Sequence, residues 1–164
     1  LPAPADRGLS ICDIRLRSLN LRERLLFENP DSPPPCHAMT HWVLILEDDR
    51  DCAEMVKKEV AAIGASGVVV ESIARFKEAY ATFQPGLLIL DVLLGNEDCG
   101  AAIDFLAGRE CPAPIVLLSG LDIRLSQFMA TLAKDKGLRA AAVIDKRDAL
   151  PRLRPELLRH LSDR

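Results

Sequence analysis

The chain has 164 residues, of which 49% are hydrophobic and 27% charged, and its formal net charge at pH 7 is -3. This length suits one domain with an extension, and the hydrophobic fraction is sufficient for a single closed core. The charge provides no basic surface for nucleic acid, and neither a membrane span nor a signal peptide is visible. The five cysteines occur singly, which favours reduced thiols. We therefore expect a cytoplasmic protein that contacts neither nucleic acid nor membrane.

Residues 1–39 differ in character from the rest of the chain. Their leucines form no single helical stripe, so at most a short helix over residues 11–27 is predicted. The proline-rich stretch 29–35 is typical of a linker. We expect a poorly ordered N-terminal extension, or an arm that docks a partner, ahead of a folded domain over residues 40–164. A zinc site built on the Cys36 and His37 pair is not expected, because nothing nearby completes four ligands.

From residue 42 onward, short apolar runs alternate with stretches of helical periodicity. The predicted strands cover residues 42–46, 67–70, 87–91, 115–118 and 140–144. The predicted helices cover residues 51–63, 72–83, 100–108, 122–136 and the last segment from about 150, with a loop at 95–98. Pro151 and Pro155 are expected only near the first turn of that last helix. Five strands alternating with helices predict a doubly wound α/β fold, with a parallel sheet covered on both faces.

Polar side chains follow four of these strands at the point where each strand ends. Because parallel strands point the same way, their carboxyl ends bring these side chains to one rim of the sheet. They are Glu47 and Asp48, then Asp91, then Ser119, and then Lys146. Two carboxylates about 4 Å apart repel by roughly 4 kcal/mol at an effective dielectric of about 20, so the cluster requires a cation. Oxygen ligands of this kind suit magnesium.

The remaining groups of the predicted rim fit a phosphorylated carboxylate. Asp91 stands alone at the end of a continuous apolar strand, which makes it the candidate nucleophile for a phosphoryl group. Lys146 would supply positive charge to the transferring oxygens, and Ser119 would donate a hydrogen bond. Taken singly, each residue has an ordinary explanation as a cap, turn or surface residue, as we expect for Asp49 and Asp98. The prediction depends on their order at the ends of successive strands.

This arrangement resembles the receiver domain of bacterial two-component response regulators, the CheY-like fold, over roughly residues 42–161. The resemblance implies a flavodoxin-like strand order of 2-1-3-4-5, with magnesium as the cofactor. It implies a sensor histidine kinase or histidine phosphotransfer protein as phosphodonor. The implied metal ligands are Glu47, Asp48, Asp91 and the backbone carbonyl of Leu93, and the implied transfer residues are the phosphoacceptor Asp91, Ser119 and Lys146.

The chain departs from the family pattern at four places. Lys146 is followed by Arg147 where the family usually has proline, and Gly95 lies where a proline often follows the phosphoacceptor. Val143 replaces the family's switch aromatic, and the stretch from residue 119 to 146 is longer than usual. These departures leave the phosphorylation chemistry intact. They bear on the usual coupling, in which the serine moves toward the phosphoryl group and the aromatic follows it.

The predicted function is that of a single-domain response regulator that signals through contacts with a downstream protein target. It would be no enzyme beyond catalysing its own phosphorylation and dephosphorylation. One alternative is a receiver-like scaffold that binds partners without phosphorylation. A less favoured alternative is a haloacid-dehalogenase-like phosphatase, whose nucleophile belongs in an Asp-x-Asp after the first strand. Here that strand is followed by Glu47-Asp48-Asp49.

Overall fold

The computed structural model of the protein describes residues 42–120 and 123–161, leaving aside the side chain of residue 150. The predictions for residues 1–39, including the extension, the linker and the unlikely zinc ligands, lie outside the described residues. So does Asp122, the predicted cap of the fourth helix. Among the helices that are described, none has both the length and the apolar character needed to cross a bilayer.

Five strands form one parallel sheet, and two very short strands form a separate antiparallel pair. The strands are β1 (Trp42–Leu46), β2 (Ser66–Val70), β3 (Leu87–Asp91), β4 (Leu93–Leu94), β5 (Glu97–Asp98), β6 (Ile115–Ser119) and β7 (Ala140–Asp145). The order in the large sheet is β2-β1-β3-β6-β7, with parallel pairing throughout. Without the small β4–β5 pair, this is the predicted order 2-1-3-4-5, and the doubly wound α/β fold is confirmed.

Within the described residues, four helices connect strands of the large sheet, and a fifth follows the last strand after a short 3-10 turn. They are α1 (Arg50–Ala62), α2 (Ile73–Phe83), α3 (Gly100–Ala107), α4 (Ile123–Asp135) and α5 (Ala149–Leu161), with the 3-10 turn at Lys146–Asp148. α1 begins where it does because the Asp49 side chain accepts a hydrogen bond from the Cys52 backbone N–H at 2.8 Å. Ser72 caps α2 in the same way. Each such cap stabilises its helix by about 1 kcal/mol.

The core lies on both faces of the sheet, because alternate residues of each strand point to opposite faces. On one face, α1 and α5 pack together over β1 and β3. Their apolar stripes supply Val56, Val60, Leu153 and Leu157, all fully buried. The three helices α2, α3 and α4 form a second row, each packed against the next. Since a fully buried aliphatic side chain stabilises the fold by roughly 1.5–3 kcal/mol, this double layer holds the central strands rigidly.

The predicted loop at residues 95–98 is wrong in part, because the chain forms a small hairpin there. Glu97–Asp98 pairs antiparallel with Leu93–Leu94, which leaves Gly95 and Asn96 as a two-residue turn. Gly95 has φ +59, the left-handed conformation that tight hairpin turns require. Glycine allows it without steric cost. The hairpin lies directly after Asp91, so it borders the predicted site.

The expectation that both prolines lie near the start of the last helix is also wrong for Pro155. α5 begins at Ala149, which puts Pro151 in the first turn but Pro155 at the seventh position. A proline there has no N–H to donate to the carbonyl one turn earlier, and its ring crowds that carbonyl. Burial of Leu153 and Leu157 on either side of it outweighs this local cost, and the proline itself faces solvent.

Candidate functional site

The carboxyl ends of β1, β3, β6 and β7 bring the predicted residues to one rim of the sheet. Glu47 follows β1 directly, Asp91 is the last residue of β3, and Ser119 is the last residue of β6. The strand pairings align them, because Leu46 lies beside Leu90 and Asp91 lies beside Leu118. Lys146 opens the 3-10 turn that follows β7. The topology alone therefore produces the convergence that the sequence predicts.

Three carboxylates at this rim are close enough to share one cation. An oxygen from each of Glu47, Asp48 and Asp91 lies within 4.8 Å of the other two. Their environments differ, since Glu47 is 1% exposed and Asp91 is 3% exposed, whereas Asp48 faces solvent. Two buried negative charges next to each other are costly unless they are paired. The cluster therefore depends on positive charge.

Lys146 provides the positive charge that the described residues offer to the two buried carboxylates. Its Nζ donates a hydrogen bond to Asp91 Oδ2 at 2.7 Å and another to Glu47 Oε1 at 2.9 Å. Backbone N–H groups add to this, because Leu93 N donates to Asp91 Oδ1 and Asp49 N donates to Glu47 Oε1, each at 3.2 Å. Asp91 thus has a hydrogen bond on each oxygen and is held in one orientation.

One ammonium does not neutralise two carboxylates, and the pKa values reflect this. Burial raises the pKa of Asp91 from 3.8 to about 6, and the negative charge of Glu47 adds to the rise. The hydrogen bond from Lys146 opposes it without cancelling it. For Lys146, burial lowers the pKa, but the hydrogen bonds to Asp91 and Glu47 outweigh burial and raise it overall. Lys146 is therefore charged at neutral pH, and Asp91 is ionised at an energetic cost.

The remaining oxygen of Glu47 is the clearest sign that the rim suits a metal ion. Lys146 Nζ lies 2.9 Å from Oε2 as well as from Oε1, yet its hydrogen bond goes to Oε1. Oε2 is buried and accepts no hydrogen bond from the described residues. The ion pair with Lys146 compensates part of its charge, but a buried carboxylate oxygen that accepts no hydrogen bond normally costs free energy. The all-oxygen donor set, the open Asp48 and this unsatisfied oxygen together fit a hard divalent cation such as magnesium.

A shallow cavity opens over the cluster. Its lining residues are Asp48, Asp49, Asp91, Leu93, Gly120 and Lys146. Leu93 is 44% exposed, so an apolar side chain borders the acidic floor. Ser119 lies buried one residue before Gly120, at the end of the neighbouring strand. The structure therefore brings every predicted site residue to this rim, although their chemical roles stay predictions.

Two features next to the site were not predicted from the sequence. Cys52, in the first turn of α1, is half-buried, and burial together with the Glu47 carboxylate raises its pKa to about 12. The thiol is therefore protonated and unreactive at neutral pH. The second feature is a pairing of Asp145 with Arg147 beside Lys146. In contrast, Asp49 is a helix cap as expected. Asp98 is the exposed last residue of β5, and its Oδ1 accepts a hydrogen bond from Gly100 N at 2.8 Å.

Comparison with known proteins gives matches to response regulators. No protein-family model matches the chain. The chain is 32% identical over 88 residues to the response regulator protein GraR of two strains of Staphylococcus epidermidis. The match covers 54% of this chain and 39% of that relative, so the chain spans about two fifths of the length of the curated relatives it matches.

Solved structures of receiver domains have the same fold. The beryllofluoride-activated N-terminal receiver domain of Klebsiella pneumoniae RstA is 28% identical with a TM-score of 0.54, covering 71% of this chain and 97% of that one. A response regulator from Colwellia psychrerythraea is 25% identical with a TM-score of 0.62, covering 73% and 95%. The receiver domain of NtrX from Brucella abortus, at 22% identity and a TM-score of 0.61, covers 74% and 99%.

Proposed function

Since the described residues form a CheY-like receiver domain of the response-regulator type, we propose that the chain is a phosphoacceptor in two-component signalling. A phosphohistidine on a sensor histidine kinase or a histidine phosphotransfer protein would be the donor. An oxygen of Asp91 would form the new bond to phosphorus as the nitrogen–phosphorus bond of the donor breaks. The released imidazole takes up a proton. The chain would then act as a signalling domain rather than as an enzyme with turnover on a separate substrate.

The observation that carries this proposal is the bridge made by Lys146. Lys146 donates to Asp91 at 2.7 Å and to Glu47 at 2.9 Å. Its side chain is only 21% exposed, so it is not an ordinary surface lysine. Its ammonium would stay beside the oxygens of the incoming phosphoryl group, where negative charge accumulates during transfer. Positive charge fixed before the reaction requires no reorganisation during it.

The other groups of the rim have roles that follow from their positions. Ser119 would donate its hydroxyl hydrogen to a phosphoryl oxygen, because it ends the strand next to Asp91. The backbone N–H of Leu93 holds one oxygen of Asp91, which leaves the carboxylate pre-oriented for attack. The Leu93 side chain at the cavity mouth would reduce the access of water to the acyl phosphate.

Magnesium would be held by the three carboxylates and by the backbone carbonyl of Leu93. When bound, it supplies Lewis-acid stabilisation of the phosphoryl oxygens and neutralises the acidic cluster. The unsatisfied Oε2 of Glu47 and the proximity of the three carboxylates support this assignment. The donor set contains no thiolate or imidazole, which favours magnesium over softer metals.

The signal would leave through protein contacts on the face formed by α4, β7 and α5. Phosphorylation would shift a pre-existing equilibrium of this face toward the form that a downstream target binds. Exposed apolar side chains support the choice of this face, because Ile123 is 52% exposed and Phe128 is 60% exposed on α4. Val143 replaces the family's aromatic residue on β7, so the coupling would use other side chains.

The test is phosphorylation by acetyl phosphate with magnesium, followed by intact mass spectrometry. The wild-type protein should gain one phosphoryl group, and hydroxylamine should remove it, since hydroxylamine cleaves acyl phosphates but not serine phosphates. Asp91→Asn should abolish the gain. Asp98→Asn is the matched control, because this exposed carboxylate lies in the neighbouring hairpin and outside the cavity.

Each other outcome has a definite meaning. A phosphoryl group that persists in Asp91→Asn would show that the acceptor is assigned to the wrong residue. A wild-type protein that binds magnesium but accepts no phosphoryl group from acetyl phosphate or from a kinase would favour the non-phosphorylated scaffold. Sustained hydrolysis of p-nitrophenyl phosphate would favour the phosphatase.

A further inference from the structure

The ammonium of Lys146 contacts the same carboxylate oxygens that the proposed metal ion would use. Its Nζ lies 2.9 Å from Glu47 Oε1 and 2.9 Å from Glu47 Oε2, so it touches both oxygens of that side chain. It also lies 2.7 Å from Asp91 Oδ2. A metal ion that binds Glu47 must therefore share an oxygen with the ammonium or displace it.

The three carboxylates of the rim differ in whether Lys146 already contacts them. Glu47 and Asp91 are buried, and each forms an ion pair with the Lys146 ammonium. Asp48 is exposed, and within the described part of the chain no ion pair joins it to Lys146. Asp48 is thus open to a metal ion from solvent, whereas the ammonium covers the other two ligands.

An ammonium and a divalent cation on shared oxygens oppose each other for two reasons. Their like charges repel strongly at ion-pair distances. An oxygen that accepts a hydrogen bond from an N–H is also a poorer ligand for magnesium, which demands near-ideal octahedral geometry. The opposition is reciprocal by linkage, so an ammonium that weakens metal binding is itself bound less tightly by Glu47 once the metal is present.

We propose that Lys146 is the resident counter-ion of the metal-free rim, which opposes metal binding and leaves Glu47 when a divalent cation is bound. The inference deepens the proposed function, because it rests on cation binding at this rim. Lysine suits the role, since its ammonium is a compact charge on a flexible stem. Released from Glu47, the ammonium keeps its shorter contact, with Asp91. Lys146 would thereby be placed for phosphoryl transfer before the phosphodonor arrives.

The first test is calorimetric titration with magnesium chloride at pH 8, which needs no phosphorylation. Lys146→Met should bind magnesium about ten- to a hundredfold more tightly than wild type, within the usual range of coupling between two sites. Asp48→Asn should bind it less tightly, because it removes the open ligand and leaves the contacts of Lys146 in place. Lys136→Met is the matched control, since Lys136 pairs with Asp104 at 3.0 Å and lies outside the cavity. It should stay within about twofold of wild type.

The second test uses the wild-type protein, so it does not depend on the folding of Lys146→Met. The ¹⁵N resonance of the Lys146 ammonium is detected through its Hε protons and assigned by its loss in Lys146→Arg. It should shift as magnesium is added and stop shifting where the calorimetric titration saturates, because the ammonium exchanges two partners for one. The Lys136 ammonium, which pairs with Asp104, should show no shift over the same range.

The outcomes separate this inference from the proposed function. Equal or weaker magnesium binding by a folded Lys146→Met protein would overturn the inference and leave the metal site standing. An unshifted Lys146 resonance at saturating magnesium would overturn it as well. If neither wild type nor Lys146→Met binds magnesium, the metal assignment fails and the inference fails with it. Tighter binding by Lys146→Met in a protein whose Asp91 accepts no phosphoryl group would support the inference and refute the proposed function alone.

Discussion

Replacing Asp91 by asparagine should make the metal-free protein more stable, although it removes one of the two carboxylates that Lys146 contacts. Asp91 is 3% exposed, and its surroundings raise its pKa from 3.8 to about 6. The folded protein therefore prefers the neutral carboxyl, even with Lys146 bonded to it. Asparagine has the same shape without the charge, so it avoids the cost of keeping Asp91 ionised.

The size of the effect follows from linkage between protonation and folding. Each pKa unit corresponds to about 1.4 kcal/mol, so a rise from 3.8 to about 6 costs about 3 kcal/mol at pH 7.5. Because the folded-state pKa is raised, the stability that Asp91 contributes is fully present below its unfolded pKa and is lost as the pH rises through about 6. The advantage of Asp91→Asn should therefore decrease to roughly half at pH 5 and to about a fifth at pH 4, and nearly vanish by about pH 3.

Urea unfolding in EDTA at several pH values would measure this difference, with Asp98→Asn as an exposed control near zero throughout. Saturating magnesium should then reverse the order. A ligand at one thousand times its dissociation constant stabilises the native protein by about 4.1 kcal/mol, which exceeds the cost of about 3 kcal/mol, and the variant binds it less tightly. The reasoning would be refuted if the Asp91→Asn protein were less stable than wild type at pH 7.5. It would also be refuted if the difference in unfolding free energy between the two proteins did not change with pH. Either result would mean that the ion pair with Lys146 outweighs burial.

Three further substitutions test other parts of the structure. Lys146→Met should destabilise the metal-free protein by about 2 kcal/mol or more in urea, because it leaves two buried carboxylates without their cation. Pro155→Ala should raise the melting temperature, with a gain of about 1–2 kcal/mol, since alanine supplies the missing N–H and relieves the ring contact in α5. Gly95→Ala should cost about 1 kcal/mol in thermal melts, because φ +59 disfavours a side chain. Magnesium binding in calorimetry should change little, since the new Cβ would lie 3.8 Å from Asp48 Oδ2, an ordinary van der Waals contact.

Fluorescence of Trp42 is a poor reporter for these experiments, which is why they use unfolding and calorimetry. Trp42 is the first residue of β1 and packs against Phe83, with ring centroids 4.9 Å apart and ring planes tilted by 51°. Glu47 follows the other end of that strand, roughly 16 Å away at the strand rise of about 3.3 Å per residue. The tryptophan therefore lies at the amino edge of the sheet, remote from the rim that would bind the metal.

The sequence predicted the parts of the site that depend on topology. Continuous apolar runs such as Leu87–Asp91 define buried parallel strands, and parallel strands necessarily carry their last residues to one rim. Asp91 and Lys146 meet there although 55 positions separate them in the chain. The family resemblance and the hydrophobic periodicity predict the same rim. Both depend on the order of the strands and not on the conformation of single loop residues.

The parts that the sequence did not predict depend on the conformation of a few residues. The β4–β5 hairpin consists of two-residue strands, too short for any alternation to be visible. Pro155 lies in a helix because leucines on both sides of it are buried, a tertiary effect that local propensity does not include. The pairing of Asp145 with Arg147 is suggested by their spacing only once the 3-10 turn is known.

The rigidity of β3 explains why the repulsion at the rim cannot be relieved by a movement of the backbone. Asp91 belongs to a strand that pairs with β1 on one side and β6 on the other, and the next residue, Val92, donates its N–H to Leu118 O at 3.0 Å. Its backbone therefore cannot retreat from Glu47 without breaking the central sheet. Glu47 is likewise held, since its N–H donates to Val70 O at 3.0 Å. With both backbones fixed, the repulsion between the two carboxylates can decrease only through protonation, the Lys146 ammonium or a bound cation, and at neutral pH the first of these is largely absent.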